Sequence, residues 1–146
     1  MEVYMTKKMM DWFLLKLKEL DTLKQVEPYE GQFEDPEDVS VFPPAALVTL
    51  NQFSNTREAT RAVLHYNVSV YVICTHIHGN SPDTMLDTID AITALLHDKG
   101  VRYNTEKEDE AEVPVNYFGR CFLVDGNFVG ILPGMSVYRL NFTVKR

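Results

Sequence analysis

Residues 64–74, LHYNVSVYVIC, decide how the fold is read. Leu64, Tyr66, Val68, Val70, Val72 and Cys74 are apolar, and His65, Asn67, Ser69, Tyr71 and Ile73 stand between them. Side chains on a strand point alternately to the two faces, so this pattern predicts one long strand with a dry face and a more polar one. Soon after comes SPDTMLDTIDAITALLHDKG, residues 81–100, which carries its own helix signals. Ser81 is the expected N-cap, Pro82 suits the first helical position and Asp83 puts negative charge in the first turn. Gly100 is the expected left-handed stop. Met85, Ile89, Ile92 and Leu96 recur on one side, and Leu86 and Leu95 widen the stripe. The economical packing lays this helix on the dry face of the strand.

Working outward, Thr6 is placed to cap a helix reaching Leu23, with Met10, Phe13, Leu14, Leu17 and Leu20 on one face. Trp12 flanks that stripe and is read as a core contact. Residues 25–44, QVEPYEGQFEDPEDVSVFPP, are rich in proline and acids and read as a long loop. Ala45–Leu50 is a short strand and NQFSNTREATR a polar loop or turn before the central strand, the two strands forming a wide antiparallel hairpin. THIHGN (75–80) is a turn, and the charge run Glu106–Glu112 is an exposed acidic loop. Val113–Val124 is extended, and Pro114 and Gly119 within it indicate an edge strand or a bulge. Asp125-Gly126 is the expected two-residue hairpin turn, Phe128–Leu132 the return strand and Pro133-Gly134 a second turn. In the last strand Tyr138, Leu140, Phe142 and Val144 alternate with Arg139, Asn141 and Thr143. The expectation is a single α+β domain over residues 1–146, two-layered, with a mostly antiparallel sheet and both helices packed on one face.

The chain has 146 residues, enough for a core without staples. Its net charge of −7 argues against gripping a nucleic-acid backbone, where affinity comes from Lys and Arg. The two cysteines, Cys74 and Cys121, lie in strand-like apolar runs and read as buried free thiols; a bridge would need a geometry that sequence does not show. The opening MEVYMTKKMMDWF lacks the apolar run and small-residue cleavage site of a signal peptide, and no apolar run is long enough for a bilayer. The expected compartment is cytoplasm.

Chemistry-bearing patterns are sparse. Cys74, His76 and His78 would share a face if the strand continued, and all three residue types bind zinc. Gly79-Asn80 turns the chain there, and no further Cys or His lies close by. The plain reading is two histidines at a strand end, so no metal ligand is assigned, and a small metal-dependent hydrolase is carried only as a rival. His65 and His97 are isolated. The sequence contains no GxSxG, GxGxxG or Walker loop. No catalytic residue and no cofactor are assigned. The polar face of the sheet, with His65, Asn67, Ser69, Tyr71, Arg139 and Asn141, is instead the candidate assembly surface; such a face otherwise simply meets water.

The order of these elements carries a resemblance. An amphipathic helix leads to an acidic, proline-rich loop and a PAALVTL strand (44–50). HYNVSVYVIC (65–74) then precedes the capped helix 81–100, and the chain closes on YRLNFTV (138–144). This layout resembles the tail-terminator, or tail-completion, proteins of tailed bacteriophages and prophages, especially the small tail proteins of Mu-like phages, with lambda-like prophage minor tail proteins as the related type. The resemblance implies a non-enzymatic protein that forms a ring, commonly a hexamer. Such a ring caps the tail tube, ends its polymerisation and offers a docking surface for the head. The implied partners are further copies of the chain, the tail tube protein and head–tail connector proteins. DNA passes through without specific binding, which an acidic lumen suits, and no membrane is involved. The implied location is the bacterial host cytoplasm during assembly and the virion tail afterwards. A head–tail connector or stopper is the neighbouring alternative.

Overall fold

A computed structural model describes residues 5–35, 39–58, 61–75, 83–104 and 115–145. In chain order the elements are α1 (Met5–Leu17), β1 (Gln25–Pro28), β2 (Ala45–Glu58), β3 (Arg61–Thr75), α2 (Asp83–Leu96), β4 (Lys99–Asn104), β5 (Val115–Leu132) and β6 (Met135–Lys145). The strands form one sheet in the order β1-β2-β3-β6-β5-β4, antiparallel except for the β1–β2 pair. The expected α+β class, with a mostly antiparallel sheet and both helices on one face, is what the chain adopts.

The dry face forms because alternation places Tyr66, Val68, Val70, Val72 and Cys74 of β3 beside Leu140, Phe142 and Val144 of β6. Met9, Trp12, Phe13 and Leu17 of α1, and Met85, Ile92 and Leu96 of α2, pack on them. Phe13 lies 5.9 Å from Phe142, ring to ring, and Trp12 meets Phe13 edge-on at 5.1 Å. Trp12 is therefore the core contact expected of it. Helix α1 touches β1 and β2 near one end of the sheet and β4 at the other, so the sheet wraps around it.

Several boundaries differ from the sequence reading, each for a physical reason. Helix α1 begins at Met5, ahead of Thr6, and ends at Leu17, where Glu19 and Leu20 donate to the carbonyls of Lys16 and Leu17 in a tighter turn. The segment 25–44 is not all loop: Gln25–Pro28 pairs in parallel with Ala45–Val48, and Tyr29 N–H extends the contact to the Val48 carbonyl at 2.7 Å. The polar stretch after Leu50 is strand, because β2 runs on to Glu58 and pairs down to Arg61. Long antiparallel pairing with β3 outweighs the weak strand propensity of NQFSNTRE. Asp98 (φ 61°), not Gly100, takes the left-handed position after α2. Its N–H donates to the Cys121 carbonyl at 2.6 Å, its own carbonyl accepts from Arg120 at 2.7 Å, and Gly100 already lies in β4.

Asp125-Gly126 is not a turn. It lies inside β5, paired with Asn141 and Leu140. A Cβ at position 126 would meet Leu140 Cδ2 at 2.9 Å, so the glycine serves a close cross-strand approach. The hairpin turn falls at Pro133-Gly134, as expected, with Gly134 at φ +74°. The bulge expected near Gly119 exists: Val101 pairs with Gly119 and Arg102 with Tyr117, leaving Phe118 as the extra residue. Phe118 is buried against Tyr66 at 5.3 Å. The expected cap Ser81-Pro82, the turn 76–80, Pro114 and the acidic run 106–112 lie outside the described residues.

Phe13→Ala is expected to destabilise the protein by about 3–5 kcal/mol, through lost burial and a cavity beneath α1. Leu15→Ala, at a position 66% exposed on the same helix, should change stability by no more than about 0.5 kcal/mol. Urea unfolding midpoints for the two variants check the pair.

Candidate assembly surface

The face of the sheet opposite the helices is built mainly by β3 and β6. Their register sets His65 beside Lys145, Asn67 beside Thr143, Ser69 beside Asn141, Tyr71 beside Arg139 and Ile73 beside Val137. Alternation therefore brings His65, Asn67, Ser69, Tyr71, Arg139 and Asn141 onto one surface, as the sequence implied. The residues are not equally accessible, because the chain between β1 and β2 folds back over part of this face.

That cover makes a second, smaller core. Ala45, Leu47, Ile73 and Val137 are buried with Val41, and Tyr29, Phe33, Val39 and Tyr71 pack around them. Tyr29, Phe33 and Tyr71 form a three-ring cluster with centroids 4.8 to 5.4 Å apart. Gln25 fastens the returning segment: its Nε2 donates to the Ser40 carbonyl at 3.2 Å and its Oε1 accepts from Phe42 N–H at 2.7 Å. The Tyr29 hydroxyl donates to Glu34 at 2.6 Å. Desolvation, reinforced by that hydrogen bond and the negative charge of Glu34, holds the phenol well above its usual pKa. Tyr71 thus packs into an aromatic cluster and is half-buried on this face.

Beside the cover, a row of polar side chains crosses four strands. Asn51 Nδ2 donates to Ser69 Oγ at 2.5 Å, and the Ser69 hydroxyl donates to Asn141 Oδ1 at 2.6 Å. Asn141 Nδ2 then donates to Asp125 Oδ1 at 2.6 Å. Ser69 and Asn141 each give one bond and take another, so the row is directional and ends on a carboxylate. Ser69 is wholly buried in it, which corrects its placement as accessible surface. Asn51 reaches the row because a bulge lies between Leu50 and Gln52. Asn51 and Asp125 were not legible as site residues, since no spacing in the sequence reports a bulge.

Beyond the row the face stays open. His65, Asn67 and Thr143 are partly exposed, and Lys145 and Arg120 are exposed. Arg139, opposite Tyr71, keeps its Nε buried without a hydrogen-bond partner among the described residues. His97, after α2, accepts the Leu123 N–H on Nδ1 at 2.9 Å and so pins β5 to the helix end.

Nothing among the described side chains forms a reactive constellation. Cys74 is buried, its thiol 3.7 Å from Thr88 Oγ1 on α2, and burial raises its pKa. Burial pushes the Cys121 thiol up to about 12. Both cysteines are free. Among the described residues no group of three His, Cys, Asp and Glu is placed to hold a metal ion, and His76 and His78 lie outside them. Among the same residues no helix is long and apolar enough to cross a membrane.

The architecture has a counterpart among solved structures. A chain in the virion of a native gene transfer agent particle superposes with a TM-score of 0.59 at 13% sequence identity. The match covers 99% of this chain and 98% of that one, so the two share a fold from end to end. No protein-family model matches the sequence. No curated protein matches it either.

Two outcomes follow from this geometry. Ser69→Ala should cost about 1 kcal/mol, because it removes a wholly buried hydroxyl hydrogen-bonded to both Asn51 and Asn141, whereas Asn67→Ala should cost less than about 0.5 kcal/mol. Chemical denaturation of both variants measures the difference. The folded protein should also resist thiol reagents at neutral pH and react at both cysteines once unfolded. For Cys121 the folded pKa lies near 12 against 9.0 for a free thiol, so the unfolded state loses its proton first. Stability should then fall from about pH 9 upward, by about 1.4 kcal/mol per pH unit for that thiol, as read from urea titrations at stepped pH.

Proposed function

We propose that this protein is a non-enzymatic structural component of a phage or prophage tail. It caps the tail tube, ends tube polymerisation and forms part of the head–tail joining interface as an oligomeric ring. The end-to-end likeness of the fold to a chain of a gene transfer agent virion is the observation that carries this reading. The sequence layout resembling tail terminators supports it independently. So does the burial of both cysteines and the commitment of Ser69, Asn141 and Tyr71 to packing and internal hydrogen bonds, which leaves this face suited to contact and not to chemistry.

In this reading the sheet face, through its open part at His65 and Asn67 and the half-buried Arg139 and Asn141, meets a neighbouring subunit or lines the lumen. The net charge of −7 lets DNA pass without adhering. Partners are further copies of the chain, the tail tube protein and the head–tail connector proteins. The protein resides in the host cytoplasm during assembly and in the virion tail afterwards.

Deletion of the gene from its tail-producing phage or prophage, followed by electron microscopy of the particles, tests the proposal. Tails of uncontrolled length without heads are expected, restored to uniform length by the intact gene. Tails of normal length that lack heads would point to a connector or stopper instead. Normal virions would exclude both roles.

A further inference from the structure

Strand β5 is only half covered. Its pairing with β4 ends where Cys121 meets Lys99, and His97 occupies the Leu123 N–H. From Val124 to Leu132 no described strand lies beyond it. Val124, Phe128, Val129 and Ile131 on this stretch are 44 to 66% exposed. An apolar open edge without Lys or Pro is a template for strand pairing. Two bulges, between Leu123 and Asp125 and between Phe128 and Gly130, limit the regular part to Asp125–Phe128.

The opposite edge of the sheet is β1, a four-residue strand. Beside it opens a cavity of about 400 Å³, lined by Lys18, Leu23, Val26 and Phe42 among others. Phe42 is 69% exposed there. The two edges lie on the same rows of the sheet. Val26 pairs with Ala46, Ala46 with Val72, Val72 with Tyr138 and Tyr138 with Phe128. The next rows join Glu27 to Asn127 and Pro28 to Gly126 in the same way. Because β1 runs with β2 and β6 and against β5, β1 of another copy laid along β5 would continue the sheet antiparallel.

We infer that copies of this chain join head to tail, the open β5 edge of one docking along β1 and its cavity on the next. Phe128 and Ile131 then cover Leu23, Val26 and Phe42, and Asn127 stands opposite Glu27, whose carboxylate accepts from the amide. A second copy is the occupant because one contact removes both uncovered apolar patches from water. Two-fold pairing of β5 with β5 would leave the cavity and Phe42 bare. A head-to-tail contact uses different surfaces on its two sides, so it closes into a ring or extends into a filament. The inference deepens the assembly reading above by naming its self-contact.

Cysteine placement tests it in the full chain, with the native thiols buried. Asn127→Cys and Glu27→Cys are both at exposed positions. A short bis-maleimide should link the two variants when mixed, link neither alone, and give a ladder of multimers from the double variant. Phe128→Asp should reduce the linked fraction roughly tenfold or more while leaving the circular dichroism spectrum unchanged. Cross-linking of Asn127→Cys to itself would overturn the inference in favour of two-fold pairing. Oligomers by light scattering without these cross-links would overturn this contact and leave the ring reading standing. A monomer at every concentration reached, with no cross-link, would overturn the contact, and the tail-length experiment would still judge the tail role separately.

Discussion

Burial of one face of the β3–β6 pair beneath two helices is the interaction on which the rest depends. Tyr66, Val68, Val70, Val72 and Cys74, with Leu140, Phe142 and Val144, leave water only when α1 and α2 cover them. That burial sets the register, because a one-residue slip of either strand would turn the whole apolar row to the other side. Once register is set, the composition of the second face follows with no further choice. Ser69 must stand beside Asn141, and Tyr71 beside Arg139. The candidate surface is thus a consequence of the core and not a separately built site.

The second face then divides by what returns over it. The segment after β1 lays Tyr29 and Phe33 against Tyr71 and adds Val39 and Val41 to a small apolar cluster. Where the cover stops, the hydrogen-bonded row from Asn51 to Asp125 gives the buried Ser69 hydroxyl a partner on each side, which offsets its desolvation beside an apolar cluster. What remains accessible is narrower than the alternation alone suggests: the exposed Lys145 and Arg120, and the half-buried His65, Asn67, Thr143, Tyr71, Arg139 and Asn141.

The sheet ends in β1 on one side and, on the other, in β4 and the uncovered stretch of β5. Strand β1 is short and ends in Pro28, and β5 is broken by two bulges. Short strands, proline and bulges are devices that restrain indiscriminate edge pairing. Here they leave only brief regular stretches at both ends of one set of rows.

Much of the fold was legible because it rests on short-range periodicity. The alternation of residues 64–74 and 136–144, the helical stripe through Ile89 and Ile92, the turn at Pro133-Gly134 and the bulge near Gly119 all report local geometry directly. The errors in strand assignment share one cause: a partner strand supplied what local chemistry withheld. NQFSNTRE became strand by pairing with β3, Asp125-Gly126 stayed extended because Leu140 packs against it, and Gln25–Pro28 became a strand beside Ala45–Val48. Of the candidate surface, the sequence by itself determined which residues share the face of β3 and β6, since backbone pleating alternates side chains irrespective of context. Only the tertiary structure decided that Ser69 is withdrawn from it and that Tyr71 is half covered, because covering segments and cross-strand partners are set by contacts between residues far apart in the chain.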